Sequence, residues 1–350
     1  MIFSPGSIAL MGSGETTAHG GQVFDRLVRC YNSPVNIRLL GTPAGFELNS
    51  DEVIGRVASY LVSRLQNYQP DVKVISARRR DGPAGTEALE TAERLLDADL
   101  IFMGPGSPTY LVRHLRNTKA WSVVLAAQRC GASLALASAA TVSAGVLTLP
   151  VYEIFKAGED PRWTAGLDLF SFYGLPMVII PHWNNREGGA NLDTSHCFIG
   201  EERFSMLEKQ LSDGISVLGL DEHTSVILDL NSGYATVYGR NQIHIRKRGL
   251  EKTFSRGEVF PLSELGDFRL PLDWQEDIPD VIWASLSKAL GATHDEDGIT
   301  PPPQVLQALE SRARAREARD WVESDRLRDL ISAMGWRVVD TPDGQKLERA

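Results

Sequence analysis

A serine set among small residues is the first group in this sequence equipped for chemistry. Ser138 stands in the run Ser133-Leu134-Ala135-Leu136-Ala137-Ser138-Ala139-Ala140-Thr141. A tight turn between a buried strand and a helix exposes such a hydroxyl at the edge of a sheet. The helix that follows points its first amide groups at the reacting atoms. That chemistry is nucleophilic attack on a carbonyl, and it needs a base. His182, in Ile180-Pro181-His182-Trp183, follows another apolar run and is the candidate. Composition alone supports plainer readings as well, a core serine and a histidine packed against tryptophan.

Other polar patterns lead elsewhere. His182, His196 and His223 share no spacing that puts two ligands on one helix face, and Cys30, Cys130 and Cys197 form no zinc-type pair. No metal is expected. Gly12-Ser13-Gly14 has Thr17 where a dinucleotide fingerprint needs its third glycine. It reads as a tight turn, and no cofactor is expected.

The elements that must hold these residues alternate in kind. Short apolar runs at Ser7–Met11, Val35–Leu40, Val72–Ser76, Leu100–Met103 and Ser133–Ala137 read as buried strands. Between them Glu52–Leu65, Thr86–Leu96, Pro108–Leu115 and Ala120–Arg129 have helical spacing. That alternation predicts βαβ units, a parallel sheet, and strand ends gathered along one edge. Met177–Ile180 is a further strand and Phe204–Leu211 a helix. Three short strands follow, near Ser216–Leu220, Ser225–Leu228 and Tyr234–Tyr238, with a turn at Asn231–Gly233. Residues 291–303 turn acidic and then proline-rich, which reads as a linker. Beyond it, Gln304–Met334 reads as a charged helix or helical hairpin, and Trp336–Val339 as a strand.

Bulk properties narrow the class. The 350 residues are 43% hydrophobic and 23% charged, as in an ordinary globular protein. A net charge of −9 argues against a chain-wide nucleic-acid footprint. Residues Met1–Gly12 lack a basic segment and are broken by Pro5 and Gly6, so no signal peptide is expected. No run approaches the roughly 18 apolar residues of a membrane span. Three scattered cysteines fit a reducing compartment, and the expected location is cytoplasmic.

Six segments, in order, resemble the serine peptidases of the peptidase E and cyanophycinase kind. They are Gly12-Ser13-Gly14-Glu15, Gly104-Pro105-Gly106-Ser107, the serine turn, Pro181-His182-Trp183, His196 with Gly200-Glu201-Glu202-Arg203, and Gly219-Leu220-Asp221-Glu222. Gly131 and Gly145 flank Ser138 in the family's register. The resemblance covers about residues 5 to 245. It implies an α/β/α sandwich of the class I glutamine amidotransferase-like type and a Ser-His-acid triad. Ser138 would be the nucleophile, His182 the base and Glu153 the acid, with Asp160 and Asp168 as alternatives. Oxyanion donors would be the N–H groups of Ala139 and Gly106, since Pro105 has none. Gly14, Glu15, Gly104, Ser107, Trp183 and Arg203 would bind substrate. Leu136 and Ala140 stand where the family turn has glycines, a departure that crowds it. Glutaminase chemistry would need a cysteine at the turn, and Cys130 comes eight residues early.

Residues 309–346 resemble the C-terminal piece of cysteinyl-tRNA synthetase, without that enzyme's catalytic signatures. Residues 303–350 hold nine Lys/Arg and nine Asp/Glu, so the tail has no net charge to favour RNA. The expected organisation is an amidotransferase-like domain over 1–290, a linker over 291–303 and a small, mostly helical module over 304–350. The expected function is a serine hydrolase cleaving an amide bond of a small peptide or amino-acid conjugate. The rivals are a catalytically silent ligand-binding domain of the same fold and an adaptor that reaches tRNA through the tail. No membrane partner is expected, and homo-oligomerisation is left open.

Overall fold

The computed structural model describes residues 4–247, 249–296, 303–317, 320–341 and 344–349. The chain divides into two compact units, Met1–Leu286 and Ser287–Ala350.

The large unit begins as alternation requires. Strands β1 (Ile8–Met11), β2 (Asn36–Leu40), β3 (Asp71–Ile75), β4 (Leu100–Met103) and β5 (Ser133–Ala137) are separated by helices. These are α1 (Ala18–Val28), α2 (Ser50–Arg64), α3 (Leu89–Glu93), α4 (Pro108–Leu115) and α5 (Lys119–Arg129). After β5 come α6 (Ala139–Ser143), β6 (Leu147–Thr148), α7 (Val151–Phe155), β7 (Thr164–Ala165), β8 (Met177–Ile180), α8 (Ser195–Phe198) and α9 (Glu201–Glu208). A run of strands follows: β9 (Ser216–Leu220), β10 (Thr224–Asp229), β11 (Tyr234–Gly239), β12 (Gln242–Lys247), β13 (Leu250–Ser255) and β14 (Val259–Pro261).

The main sheet has the order β14-β11-β10-β1-β5-β4-β2-β3. Strands β1 to β5 pair in parallel, and β10, β11 and β14 extend the sheet antiparallel. A second sheet runs β13-β12-β9-β8, with β8 and β9 parallel. Every residue of β1, β4, β5, β8 and β9 is buried. That is why these strands are continuous apolar runs: a strand covered on both faces has no polar side. One core packs α1 and α2 on the main sheet through Phe24, Leu27, Ile54, Leu61, Phe102 and Ala137. Another joins Val142, Val178, Ile180, Trp183, Phe204 and Val217.

Two expectations change. Between residues 216 and 261 the described residues form six strands rather than three. The polar-rich strands β12 and β13 pair in register from Gln242↔Ser255 to Lys247↔Leu250. Five residues of β13 are exposed, so the strand shows no apolar run to read. The second correction concerns the linker. Helix α10 (Asp280–Glu296) runs through residues 291–296, the acidic start of the expected linker, while residues 297–302 lie outside the described residues.

The small unit is a helical hairpin, α11 (Pro303–Glu317) and α12 (Trp321–Ala333), followed by a β-hairpin, β15 (Trp336–Thr341) and β16 (Gly344–Arg349). Its core holds Val305, Ala308, Leu327, Ile331 and Trp336. The Asp320 side chain caps α12 by accepting from the Glu323 N–H.

Candidate active site

Parallel pairing brings three loops to one edge of the main sheet. β1 runs into Gly12–Gly14, β4 into Gly104–Ser107 and β5 into Ser138. Ser138 has φ 51° and ψ −110°, a backbone shape that non-glycine residues seldom take. The turn is fastened on both sides. Ser138 N–H donates to the Met11 carbonyl at 3.3 Å, and Ala140 N–H to that of Gly104 at 3.4 Å. Thr141 Oγ1 lies 2.8 Å from the Leu136 carbonyl oxygen and 3.1 Å from that of Met11. Leu136 and Ala140 do not prevent the turn. Each is 1% exposed and sits in the core, and the strained dihedral falls on Ser138 itself.

β8 and β9 carry the other two groups. β8 ends in Pro181-His182, with His182 at φ 51°. Trp183 N–H donates to the Leu220 carbonyl at 3.0 Å, which ties the histidine loop to the end of β9. His182 Nε2 lies 3.0 Å from Ser138 Oγ. His182 Nδ1 lies 3.3 Å from Glu222 Oε1, which also accepts from Asn185 Nδ2 at 2.8 Å. A proton on Nδ1 satisfies both contacts of the ring: Nδ1–H donates to the carboxylate and Nε2 accepts from the serine. The bonds from His182 and Asn185 hold the Glu222 carboxyl below the usual carboxylate range, against the opposing effect of burial.

The carboxylate beside His182 is therefore Glu222, not Glu153. Glu153 lies on α7, where its Oε1 accepts from Thr109 Oγ1 at 2.6 Å. Thr109 in turn contacts Ser107, whose hydroxyl caps α4. The alternatives Asp160 and Asp168 are exposed, and neither makes a hydrogen bond to the histidine. A sequence signal for Glu222 existed: it closes the Gly219-Leu220-Asp221-Glu222 motif at the end of a buried strand.

The expected oxyanion donors stand open. Among the described residues, neither Gly106 N–H nor Ala139 N–H donates to a backbone carbonyl. Gly106 has φ +149°, and a Cβ there would sit 2.0 Å from the Pro43 carbonyl oxygen, so only glycine fits.

Around Ser138 and His182 lies a cleft of about 250 Å³. Gly106, Pro108, Ala139 and Val142 line one part of it, and Val151, Tyr152, Phe155, Lys156, Glu187, Cys197 and Phe198 the rest. None of the six residues expected to bind substrate lines this cleft. Gly14 lies against His19 and His223, and Glu15 belongs to the same turn. Gly104 borders a separate crevice, Ser107 caps a helix, and Trp183 is buried between His196, Phe204 and His244. Arg203 is exposed on α9. Ser138, His182, Ala139 and Gly106, all expected from the sequence, line the cleft; the lining residues of α7 and α8 were missed because those helices are short and their apolar residues carry no period of their own. Burial pushes the Cys197 thiol up to about 12, so that cysteine is not a nucleophile near neutral pH. Among the described residues, no group of three or more His, Cys, Asp or Glu side chains is placed to hold a metal ion.

The large unit shares its α/β fold with a solved peptidase structure. In particular, the crystal structure of a peptidase from an acI-B1 Actinobacterium superposes with a TM-score of 0.57 and 22% identity. The match covers 74% of this chain and 97% of that one. A provisional peptidase E from Listeria monocytogenes EGD-e superposes with a TM-score of only 0.44 and 12% identity, over 72% of this chain and 99% of its own. No protein-family model matches the chain. The C-terminal segment is similar to cysteine–tRNA ligases. It is 54% identical over 49 residues to an enzyme of Burkholderia lata and 44% identical over 48 residues to one of Caldicellulosiruptor saccharolyticus. These matches cover 14% of this chain and 10% of each ligase, so the chain spans about a tenth of their length.

Proposed function

We propose that the large unit is a serine hydrolase that cleaves an amide bond of a small peptide or amino-acid conjugate. One observation carries the reading: a strained Ser138 with its Oγ 3.0 Å from His182 Nε2, lining one cleft with Gly106 and Ala139, whose N–H groups have no backbone acceptor among the described residues. In acylation Ser138 Oγ bonds to the carbonyl carbon as His182 Nε2 takes its proton. The oxyanion gathers the N–H groups of Gly106 and Ala139. The C–N bond then breaks, and the leaving amine takes the proton from His182. Water attacks the acyl-serine with His182 again as base. The acid leaves and Ser138 regains its proton. Glu222 orients the imidazole and stabilises its charged form.

A fluorophosphonate probe tests the reading. The folded protein should label at Ser138, and Ser138→Ala should not. Labelling at another residue, or none, would favour a silent ligand-binding domain. Removing a triad serine costs on the order of a millionfold in turnover.

The similarity of the tail to cysteine–tRNA ligases supports a second reading, a tRNA adaptor. Its even balance of charge ranks this lower. We assign the protein to the cytoplasm, which suits its free cysteines Cys30, Cys130 and Cys197. Among the described residues, no helix is long and apolar enough to cross a membrane.

A further inference from the structure

We infer that the cleft beside Ser138 selects a short, free-ended peptide whose side chain in the cleft is apolar or aromatic rather than acidic. The inference rests on the hydrolase reading and narrows its substrate.

Chemically the cleft has two parts. Its wall is apolar. Val142 from α6 and Val151 and Phe155 from α7 meet Phe198 from α8. The Phe155 and Phe198 rings lie 5.5 Å apart, and Phe198 is 6.0 Å from the His182 ring. Both phenylalanines are half-buried, so each keeps apolar surface that a ligand side chain could cover. Its charged part is small and unpaired. The Lys156 ammonium lies 4.6 Å from the centre of the Phe155 ring, and Glu187 also lines the cleft. Among the described residues, the side chains of Lys156 and Glu187 make no ion pair and no hydrogen bond. Two opposite charges, exposed to water and without a protein partner, beside an apolar wall suit a zwitterion: a carboxylate toward Lys156, an ammonium toward Glu187 and an apolar side chain between. A volume of about 250 Å³ sits at the low end for a ligand site, which fits a molecule of dipeptide size.

The backbone gives a second reason to place specificity here. His196, Cys197 and Phe198 all have positive φ, at 52°, 60° and 69°. Three successive strained residues, none of them glycine, persist only where the surroundings hold them, and such strain gathers at functional sites. Two of its hydrogen bonds tie this turn to the histidine loop. His196 N–H donates to the Trp183 carbonyl at 2.9 Å, and Cys197 N–H to that of His182 at 3.2 Å. The turn that presents Phe198 to the cleft is thereby fixed to the backbone of the catalytic histidine.

The test uses the full-length protein with Phe-Leu, Asp-Leu and the doubly capped N-acetyl-Phe-Leu amide. The expected result is a kcat/KM for Phe-Leu at least about tenfold above that for Asp-Leu, and a loss on the order of tenfold on capping, as for charged hydrogen bonds. Lys156→Met and Glu187→Gln should each reduce the capping effect, and Phe155→Ala should raise KM for Phe-Leu more than it lowers kcat. Equal or faster turnover of Asp-Leu, or indifference to capping, overturns the inference. Fluorophosphonate labelling, run in parallel, separates the two readings. A labelled protein without apolar preference overturns this inference alone, and an unlabelled one overturns the hydrolase. Calorimetry on Ser138→Ala reads the pocket without turnover: tighter binding of Phe-Leu than of Asp-Leu supports it, and no difference refutes it.

Discussion

Glu222 and Glu153 are the same kind of group in different surroundings, and the surroundings assign their work. Glu222 receives Nδ1–H of His182 and an amide of Asn185. Glu153 receives only the hydroxyl of Thr109. Replacing Glu222 by Gln presents an amide where the imidazole needs an acceptor and favours the wrong tautomer. Turnover of any amide substrate should fall by on the order of 10⁴. Glu153→Gln keeps an acceptor for Thr109 and should stay within a few-fold of the parent, with a stability change of about 1 kcal/mol or less. Steady-state kinetics of the two variants decide between them, and a larger loss in Glu153→Gln would return the acid role to α7. The sequence offered Ser138 and His182 through their motifs. It could not rank the carboxylates, because His182 and Glu222 are forty residues apart and meet only through the pairing of β8 with β9.

The elbow and the oxyanion loop show how an element can tolerate one substitution and refuse another. Leu136 is a pure core residue, paired across the sheet with Leu10 and Met103. Leu136→Ala should therefore cost about 2–5 kcal/mol of stability, as core truncations do, and denaturant unfolding will show it. It should leave the shape of the turn alone. Gly106→Ala should behave differently. A Cβ there meets the Pro43 carbonyl, so the loop must shift and carry its N–H away from the oxyanion. Losing one such donor costs on the order of 10²–10³ in kcat. A Gly106→Ala enzyme with full kcat would remove that N–H from the mechanism.

Acid should weaken the fold through His196. Burial lowers its pKa from 6.5 to about 4. Between those values the unfolded chain binds a proton that the native protein refuses, so stability falls as pH drops from about 6.5 toward 4. Asn tolerates the positive φ of this position. His196→Asn should therefore flatten the change in unfolding free energy between pH 7 and 4.5; an unchanged slope would clear His196. His244 works in the opposite sense. Its bonds to Asp221 and Glu251 raise its pKa despite burial. Its contribution is full at low pH and lost as pH rises through the folded value. The two units make a prediction of another kind. All cleft residues precede residue 200 and Glu222 precedes α10, so a chain ending at Glu296 should retain any amide hydrolysis that the full chain performs. Loss of turnover in a folded protein of that length would tie the tail to the active site.

Local pattern carried much of this protein. Apolar runs marked the buried strands, alternation implied the parallel sheet, and a serine between strand and helix marked the elbow. These were legible because strand burial and turn geometry leave a residue-by-residue trace. Three things had no such trace. The polar strands β12 and β13 take their place from pairing, which alternation in an exposed strand does not announce. The cleft wall draws Val142 and Phe155 from two short neighbouring helices and Phe198 from a third some forty residues further on. The carboxylate partner of His182 was decided by which strand end lies beside it. The last two depend on contacts between segments far apart in the chain, and only the folded chain brings those together; the β12–β13 hairpin is local, and its polar residues hide it.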